Sequence, residues 1–330
     1  VSSPPQEPAL MKIISRYNIP KASLTGMEPL ESKRIQYSGM DGLIAMIHET
    51  DADIVVNGIS GAAGLRPSIA ALQSGKDLVL ANKETVVMAN SLIFDLAARN
   101  SCSIIPVDSE HSAILQLTRF RPASHIKSII LTASGGPFRK TPYEQFPAIT
   151  PEEAIRHPTW KMGPKISIDS ATLANKGLEI IETHMFFRTP PEKIDVIIHP
   201  QSIIHSLIAT IDGCMYAQLS STDMKIPIMN ALMFPEIASS TISDFSLVGQ
   251  NLTFERADLV KFPMLTYAYH ALHAGGATTI AYNAANEVAV ENFIQQRIPF
   301  TGIPRLTEQI LKLDWSAAPS DLEDIFTIDA

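Results

Sequence analysis

Cysteine is scarce in this chain: Cys102 and Cys214 are the only two in 330 residues. Two thiols cannot build a disulfide framework, and no Cys/His spacing of a zinc site accompanies them. Both lie among apolar residues, so packed, inert thiols in a reducing compartment are expected. No apolar run approaches the ~20 residues of a membrane-spanning helix. Positive charge is in deficit: 26 Lys and Arg stand against 34 Asp and Glu, a formal net charge of −8. With no basic cluster to follow a phosphate backbone, nucleic acid is excluded as a partner. A small phosphorylated metabolite, which needs only a few local donors, is not. The G-x-G-x-x-G dinucleotide fingerprint is missing, as are a signal-peptide pattern and internal repeats.

What is present is enough for two or three domains with sizeable cores, since 45% of the residues are hydrophobic. Residues 9–17 and 41–49 read as short helices. From "ADIVVNGIS" (52–60) onward, strand and helix alternate: a helix at "LRPSIAALQSGK", a strand at "DLVLAN" (77–82), one helix over "ETVVMANSLIFDLAARN", a strand at "CSIIPVD". That alternation predicts a parallel sheet with crossover helices, and such sheets bind ligands beyond the carboxyl ends of their strands. After residue 120 the texture changes. "IKSIILTASGGPF" reads as a strand entering a Ser/Gly loop. "KIDVIIHPQSIIHSLIATIDG" and "MYAQLSSTD" read as strands of a second sheet turning at Asp212-Gly213. Residues 235–262 read as a linker, and helices follow from residue 263.

Four polar clusters are candidates for chemistry. In "VDSEH", Asp108 and Glu110 alternate in what reads as extended chain and could converge on one hard cation such as Mg²⁺ or Mn²⁺. An acidic turn capping the next helix is the competing reading. In "SIDSATLANKGLEIIETHMFF", helical spacing puts Asn175, Lys176 and Glu179 near one face at a helix start, where free N–H groups favour a phosphate. Ser170 adds a hydroxyl. The plainer alternative is a cap and a surface Lys–Glu pair. "TASGGPFR" gives an anion cradle around Ser134 or a simple tight turn. "HPTWKMGPK", with His157, Trp160 and Met162, suggests a lid that excludes water, against Trp160 as a core anchor. "NGISGAAGL", with its G-x-x-G-x-x-G spacing after a strand, reads equally as a nucleotide-binding turn or a close strand–helix turn. Two further stretches read as structural: His199 and His205 as sharing one strand face, and Asn283, Asn286 and Glu287 as satisfied polar groups in an apolar helix.

Together "GAAGL", "LANKE", "VDSEHSAI", "SGGPFR", "HPTWKMGPKISIDSATLANKGLEIIE", "IHPQSIIHS", "DMKIPI" and "AYNAANEVAV" resemble, in order, the 1-deoxy-D-xylulose 5-phosphate reductoisomerase family. The resemblance runs from about residue 52 to the end. It implies an α/β fold with a partial Rossmann-like parallel-sheet domain over 1–108. A central α/β catalytic domain with a second sheet (109–235), a linker (236–262) and a C-terminal helical bundle (263–330) follow. It also implies NADPH and Mg²⁺ or Mn²⁺ as cofactors, a homodimer, and a bacterial cytoplasm or a plastid.

Residue by residue, the resemblance makes Asp108, Glu110 and Glu179 metal ligands. Ser134, Ser170, Asn175 and Lys176 become a phosphate pocket. Ser109 and Lys83 would hold the oxygenated carbons of the substrate, and His157 and Trp160 would form a lid. Asn82, Glu84 and Gly163 would contact NADPH, with His111 and His205 in support. Lys83, Glu110 and His157 are the implied catalytic groups. The implied reaction is rearrangement and NADPH reduction of 1-deoxy-D-xylulose 5-phosphate to 2-C-methyl-D-erythritol 4-phosphate, in non-mevalonate isoprenoid synthesis. A reductase or isomerase of another sugar phosphate is the alternative, and a non-catalytic relic is disfavoured because no carboxylate is lost. The family's N-terminal glycine-rich cofactor loop has no counterpart in residues 1–50. A missing segment, with weak NADPH binding by this chain alone, is the expectation.

Overall fold

The computed structural model describes residues 6–25, 34–160, 162–239, 242 and 244–330. The chain divides into two compact units. The first runs through Thr85 and takes in Ile93–Ile105; the second is Val86–Leu92 with Pro106–Ala330.

The first unit begins with α1 (Glu7–Tyr17), β1 (Ser23–Leu24), β2 (Tyr37–Ser38) and α2 (Gly39–Glu49). A proline in its first turn starts α1, and Asn18 ends it in the left-handed region at φ 50°. Then come β3 (Ile54–Asn57), α3 (Leu65–Gln73), β4 (Asp77–Leu80), α4 (Lys83–Ala89), α5 (Ser91–Arg99) and β5 (Ile104–Pro106). β3 and β4 pair in parallel, and β5 lies on the other side of β4 in a three-stranded sheet. The expected strand–helix alternation is therefore present. The single helix expected over "ETVVMANSLIFDLAARN" is instead two. Asn90 breaks it at φ 47°, a conformation Asn tolerates better than most residues, and its side-chain amide donates to Thr279 Oγ1 at 2.8 Å.

The glycines of "NGISGAAGL" form the close turn that the sequence suggested, and Asn82 is what closes it. Its amide nitrogen donates to the carbonyls of Ile59 (2.6 Å) and Gly61 (2.9 Å), while its oxygen accepts from Thr85 N (2.8 Å) and Oγ1 (2.6 Å). A Cβ on Gly64 would lie 2.6 Å from Asn82 Cγ, so only glycine lets the amide reach this position.

The second unit is built on a mixed sheet. Its elements are α6 (Ser109–Thr118), β6 (Ile126–Ala133), α7 (Pro151–Ala154), α8 (Pro164–Thr172), α9 (Ala174–Phe187), β7 (Ile194–Ile198), β8 (Ile204–Thr210), β9 (Met215–Leu219), α10 (Lys225–Met233) and β10 (Glu255–Arg256). Four helices follow: α11 (Met264–Ala274), α12 (Thr278–Ile294), α13 (Gly302–Leu311) and α14 (Leu322–Asp329). The five strands run β10-β7-β6-β8-β9. β6 is parallel to β7, and the remaining pairs are antiparallel. β8 and β9 turn at Asp212-Gly213, where Gly213 has φ 86° and Asp212 Oδ1 accepts from Thr210 Oγ1 and Cys214 N.

Ile129 and Leu131 of β6, Ile168 of α8, Ile180 of α9 and Phe293 of α12 share one buried cluster. Phe138, Phe146 and Phe300 add edge-on ring contacts to it, with centroids 5.3 Å (Phe138–Phe300) and 5.6 Å (Phe146–Phe300) apart. Burying each such ring contributes about 1.5–3 kcal/mol. Helix α12 is buried along most of its length, polar residues such as Thr278, Thr279, Asn283 and Asn286 included, and packs Ala289, Val290 and Phe293 into this core.

Three readings need correction. Cys214, in the β8–β9 turn, is exposed rather than packed. His199 is not on a strand with His205: it follows β7, donates from Nδ1 to the Thr253 carbonyl at 2.9 Å, accepts from Ile203 N at Nε2, and stacks on Phe254. Asn286 Nδ2 donates to Asp169 Oδ1 at 2.8 Å, but the buried Asn286 Oδ1 and both side-chain amide atoms of Asn283 find no hydrogen-bond partner among the described residues.

Candidate active site

Ligand atoms of Asp108, Glu110 and Glu179 lie within 4.8 Å of one another. The backbone route to this cluster is not the extended one expected. Asp108 is the N-cap of α6, its side chain accepting from Glu110 N at 3.2 Å, and Glu110 is already helical. The capping turn and the carboxylate cluster are thus the same backbone. Glu179 arrives from α9, and Ser206 Oγ of β8 donates to the Glu110 carbonyl at 3.0 Å, pinning the first turn of α6.

The face predicted for α9 is observed. Asn175 Nδ2 donates to Glu179 Oε1 at 2.6 Å, and Lys176 Nζ to Glu179 Oε2 at 2.5 Å and Glu110 Oε1 at 2.6 Å. Ser109 Oγ donates to Glu110 Oε2 at 2.6 Å. The Lys–Glu pair is no surface pair, because the side chains of Lys176 and Glu179 are 4% and 1% exposed. Burial, the largest influence on Lys176, works against its charge. The Glu110 and Glu179 carboxylates outweigh burial and hold the ammonium above the ordinary lysine range.

Ser170 and α9 meet through an unusual break. Leu173, buried, sits at φ 62° between α8 and α9, ending one helix and opening the next. Left-handed leucine is costly. It brings Ser170, in the last turn of α8, and Asn175 and Lys176, in the first turn of α9, to one bend. The Ser134 loop abuts the same place: Gly135 and Gly136 have φ 84° and 66°, and a Cβ on Gly136 would lie 2.7 Å from the Ser170 carbonyl oxygen.

His157 ties the 157–160 loop to this cradle. Its Nδ1 accepts from Thr159 N (3.2 Å) and Trp160 N (2.9 Å). The ring is therefore the Nε2–H tautomer and donates to Ser134 Oγ at 3.0 Å. Burial drives its pKa down to about 4, so the ring is neutral. The Trp160 ring centroid lies 6.3 Å from that of His205. His205 is itself lowered, chiefly by burial, and its Nε2 lies 3.0 Å from Ser220 Oγ. Gly163 is exposed at the N-cap of α8.

In the first unit, Asn82, Lys83 and Glu84 are buried at the start of α4, with Asn82 Nδ2 donating to Glu84 Oε2 at 2.9 Å.

His111, which the resemblance puts in support, is held against α9, whereas Glu182 and Asp169 are not singled out by the sequence. His111 Nε2 donates to the Glu179 carbonyl at 3.1 Å and lies 3.0 Å from Thr183 Oγ1, with Nδ1 3.7 Å from Glu182 Oε2. Asp169 is buried between Lys165 Nζ (2.9 Å) and Asn286. Glu182 was findable, because it follows Glu179 by three on the buried face of α9. Asp169 was not, since its partner Asn286 is remote in sequence.

Family models match most of the chain. A 1-deoxy-D-xylulose 5-phosphate reductoisomerase model matches residues 12–90, and models of that enzyme's C-terminal domain match residues 104–187 and 219–330. The curated reductoisomerase of Chlorobium chlorochromatii is 48% identical over 294 residues, covering 89% of this chain and 77% of that protein. The chain belongs to the 1-deoxy-D-xylulose 5-phosphate reductoisomerase family. The reductoisomerase of Treponema denticola is 50% identical over 283 residues, covering 85% of this chain and 74% of its own length. Among solved reductoisomerase structures, that of Zymomonas mobilis in complex with NADPH matches with a TM-score of 0.90 at 37% identity, covering 99% of this chain and 87% of that one. A complex with NADPH, fosmidomycin and magnesium matches with a TM-score of 0.85 at 37% identity, covering 99% of this chain and 82% of that one.

Proposed function

We propose that this chain converts 1-deoxy-D-xylulose 5-phosphate to 2-C-methyl-D-erythritol 4-phosphate using NADPH and a divalent metal. The observation that carries the reading is the carboxylate cluster of Asp108, Glu110 and Glu179 beside the Ser134–Ser170 cradle. Three hard oxygen ligands suit Mg²⁺ or Mn²⁺, and the carboxylates already gather a cation, the Lys176 ammonium.

Asp108, Glu110 and Glu179 would hold the metal, which when bound supplies Lewis-acid polarisation of the substrate carbonyl. Ser134, Ser170, Asn175 and Lys176 are assigned to the phosphate, whose binding energy can be used to order the 157–160 loop. Ser109 is assigned to the substrate hydroxyls. His157, neutral with its Nε2–H directed at Ser134, and Trp160 would keep water from the reacting carbons. In the first unit, Lys83 is assigned to charge on the substrate oxygens. Asn82 and Glu84, with Gly163 of the second unit, are assigned to NADPH, which supplies the hydride. The reading extends to a cytoplasmic homodimer through the edge strand β9, where Met215 and Tyr216 are exposed. Its metabolic place is isoprenoid precursor synthesis.

The test is calorimetric titration with fosmidomycin, with and without Mg²⁺, alongside NADPH oxidation in the presence of 1-deoxy-D-xylulose 5-phosphate. Binding that needs the metal supports the reading. Fosmidomycin binding indifferent to Mg²⁺, together with no NADPH oxidation, would overturn it.

A further inference from the structure

Every carboxylate oxygen of Glu110 and Glu179 is engaged by a donor of this chain. Glu110 Oε1 takes Lys176 Nζ at 2.6 Å and Oε2 takes Ser109 Oγ at 2.6 Å; Glu179 Oε1 takes Asn175 Nδ2 at 2.6 Å and Oε2 takes Lys176 Nζ at 2.5 Å. Mg²⁺ binds such oxygens at about 2.0–2.1 Å. It cannot take its place among them while the ammonium bridges Glu110 and Glu179. The donors that would have to give way are the same side chains assigned above to the substrate.

We propose that Ser109, Asn175 and Lys176 form an internal counter-charge that a divalent cation displaces, so that cation binding releases the donors that hold the anionic substrate. The proposal rests on the metal reading above. Lys176 is central because it carries the charge. Paired to two carboxylates, its ammonium is neutralised where it stands. Once a dication satisfies those carboxylates, the ammonium is surplus there and costly to leave buried without an anion. A phosphate then becomes its best partner. Cation and anion bind with positive coupling through one side chain, and the coupling is reciprocal.

Lys176 is also a positioning residue for the empty-handed enzyme. Without a cation, the clustered carboxylates repel one another, and the ammonium offsets this. The device therefore serves the folded state before the metal arrives and the substrate after it.

Ethylphosphonate tests the idea, since it offers an anion but no carbonyl–hydroxyl pair to chelate a metal. Mg²⁺ should raise the affinity of the wild-type protein for ethylphosphonate roughly five- to hundredfold. In Lys176→Met, ethylphosphonate should bind weakly and independently of Mg²⁺, while Mn²⁺ followed by electron paramagnetic resonance should bind more tightly than to the wild type. A measurement on the wild type alone covers the case in which Lys176→Met does not fold: acylation of Lys176, mapped by mass spectrometry, should rise with Mg²⁺ and fall again with ethylphosphonate. If Mn²⁺ binds the wild type but neither ethylphosphonate affinity nor Lys176 acylation responds to Mg²⁺, the displacement proposal fails and the metal site stands. If Mn²⁺ does not bind the wild type at all, both fail.

Discussion

His157 Nε2 lies 3.0 Å from Ser134 Oγ, joining the 157–160 loop to the glycine turn that follows β6. That contact, and the two backbone N–H groups on Nδ1, require a neutral ring. Burial lowers the His157 pKa from 6.5 to about 4, so the unfolded chain takes up this proton before the folded one does. The stabilisation is fully present above pH 6.5, declines as pH falls, and is lost as pH drops through about 4. The chain has two tryptophans, so Trp315→Phe leaves Trp160 as the sole reporter. Its emission should change with a midpoint near pH 4, and the change should disappear on adding His157→Gln. A transition unaffected by that replacement would remove His157 as the tether.

Glu179→Gln keeps the shape of the side chain but takes one charge from the carboxylate cluster. Outer partners of a metal typically cost 10–100-fold in affinity when lost, and a ligand should cost at least that. Mn²⁺ titration of the variant should show a drop of about tenfold or more. Unchanged affinity would take Glu179 out of the ligand set.

Gly136→Ala meets two obstacles, a φ of 66° and the Ser170 carbonyl at 2.7 Å. Strain of this kind costs on the order of 1–3 kcal/mol. Urea unfolding should detect it, and ethylphosphonate binding in the presence of Mg²⁺ should weaken by about tenfold or more. Binding equal to the wild type would mean that the cradle does not need this loop geometry.

Asn286→Asp would put a second carboxylate where the amide now donates to buried Asp169 at 2.8 Å. Loss of a hydrogen bond to a buried charge costs about 1–3 kcal/mol, and like charge adds to it. The expected signature is a lower Tm at pH 8 that recovers partly towards pH 5, as the new carboxyl takes up a proton. Asn286→Leu, which introduces no charge, should lose stability without that pH dependence. Equal pH profiles for the two variants would dissociate Asn286 from Asp169.

The legible parts of the fold were those governed by periodicity. Alternating strands and helices over 52–107, the β8–β9 hairpin and the spacing of Asn175, Lys176 and Glu179 all follow from local rules. The breaks were not legible. Asn90 interrupts a run whose pattern reads as one helix, and no local signal marks the bend at Leu173 before the helix that starts at Ala174, because tertiary packing rather than propensity sets their left-handed backbone. Asp108 and Glu110 do meet Glu179, not through alternation in extended chain but because Asp108 caps α6 and Glu110 lies in its first turn. The burial of the Lys176–Glu179 pair was equally hidden. Whether such a pair faces solvent or a core depends on α6, which arrives from a distant part of the chain.

The bend at Leu173 has a consequence for length. Each residue in a helix is about 100° of rotation, so losing or gaining one residue at the bend would swing Ser170 off the bearing of Asn175 and Lys176. Elsewhere, the surface turn at Asp212-Gly213 could lengthen with little penalty. Between Ser170 and Glu179 the spacing is a fixed gauge, and it is set by a leucine in a conformation that leucine resists.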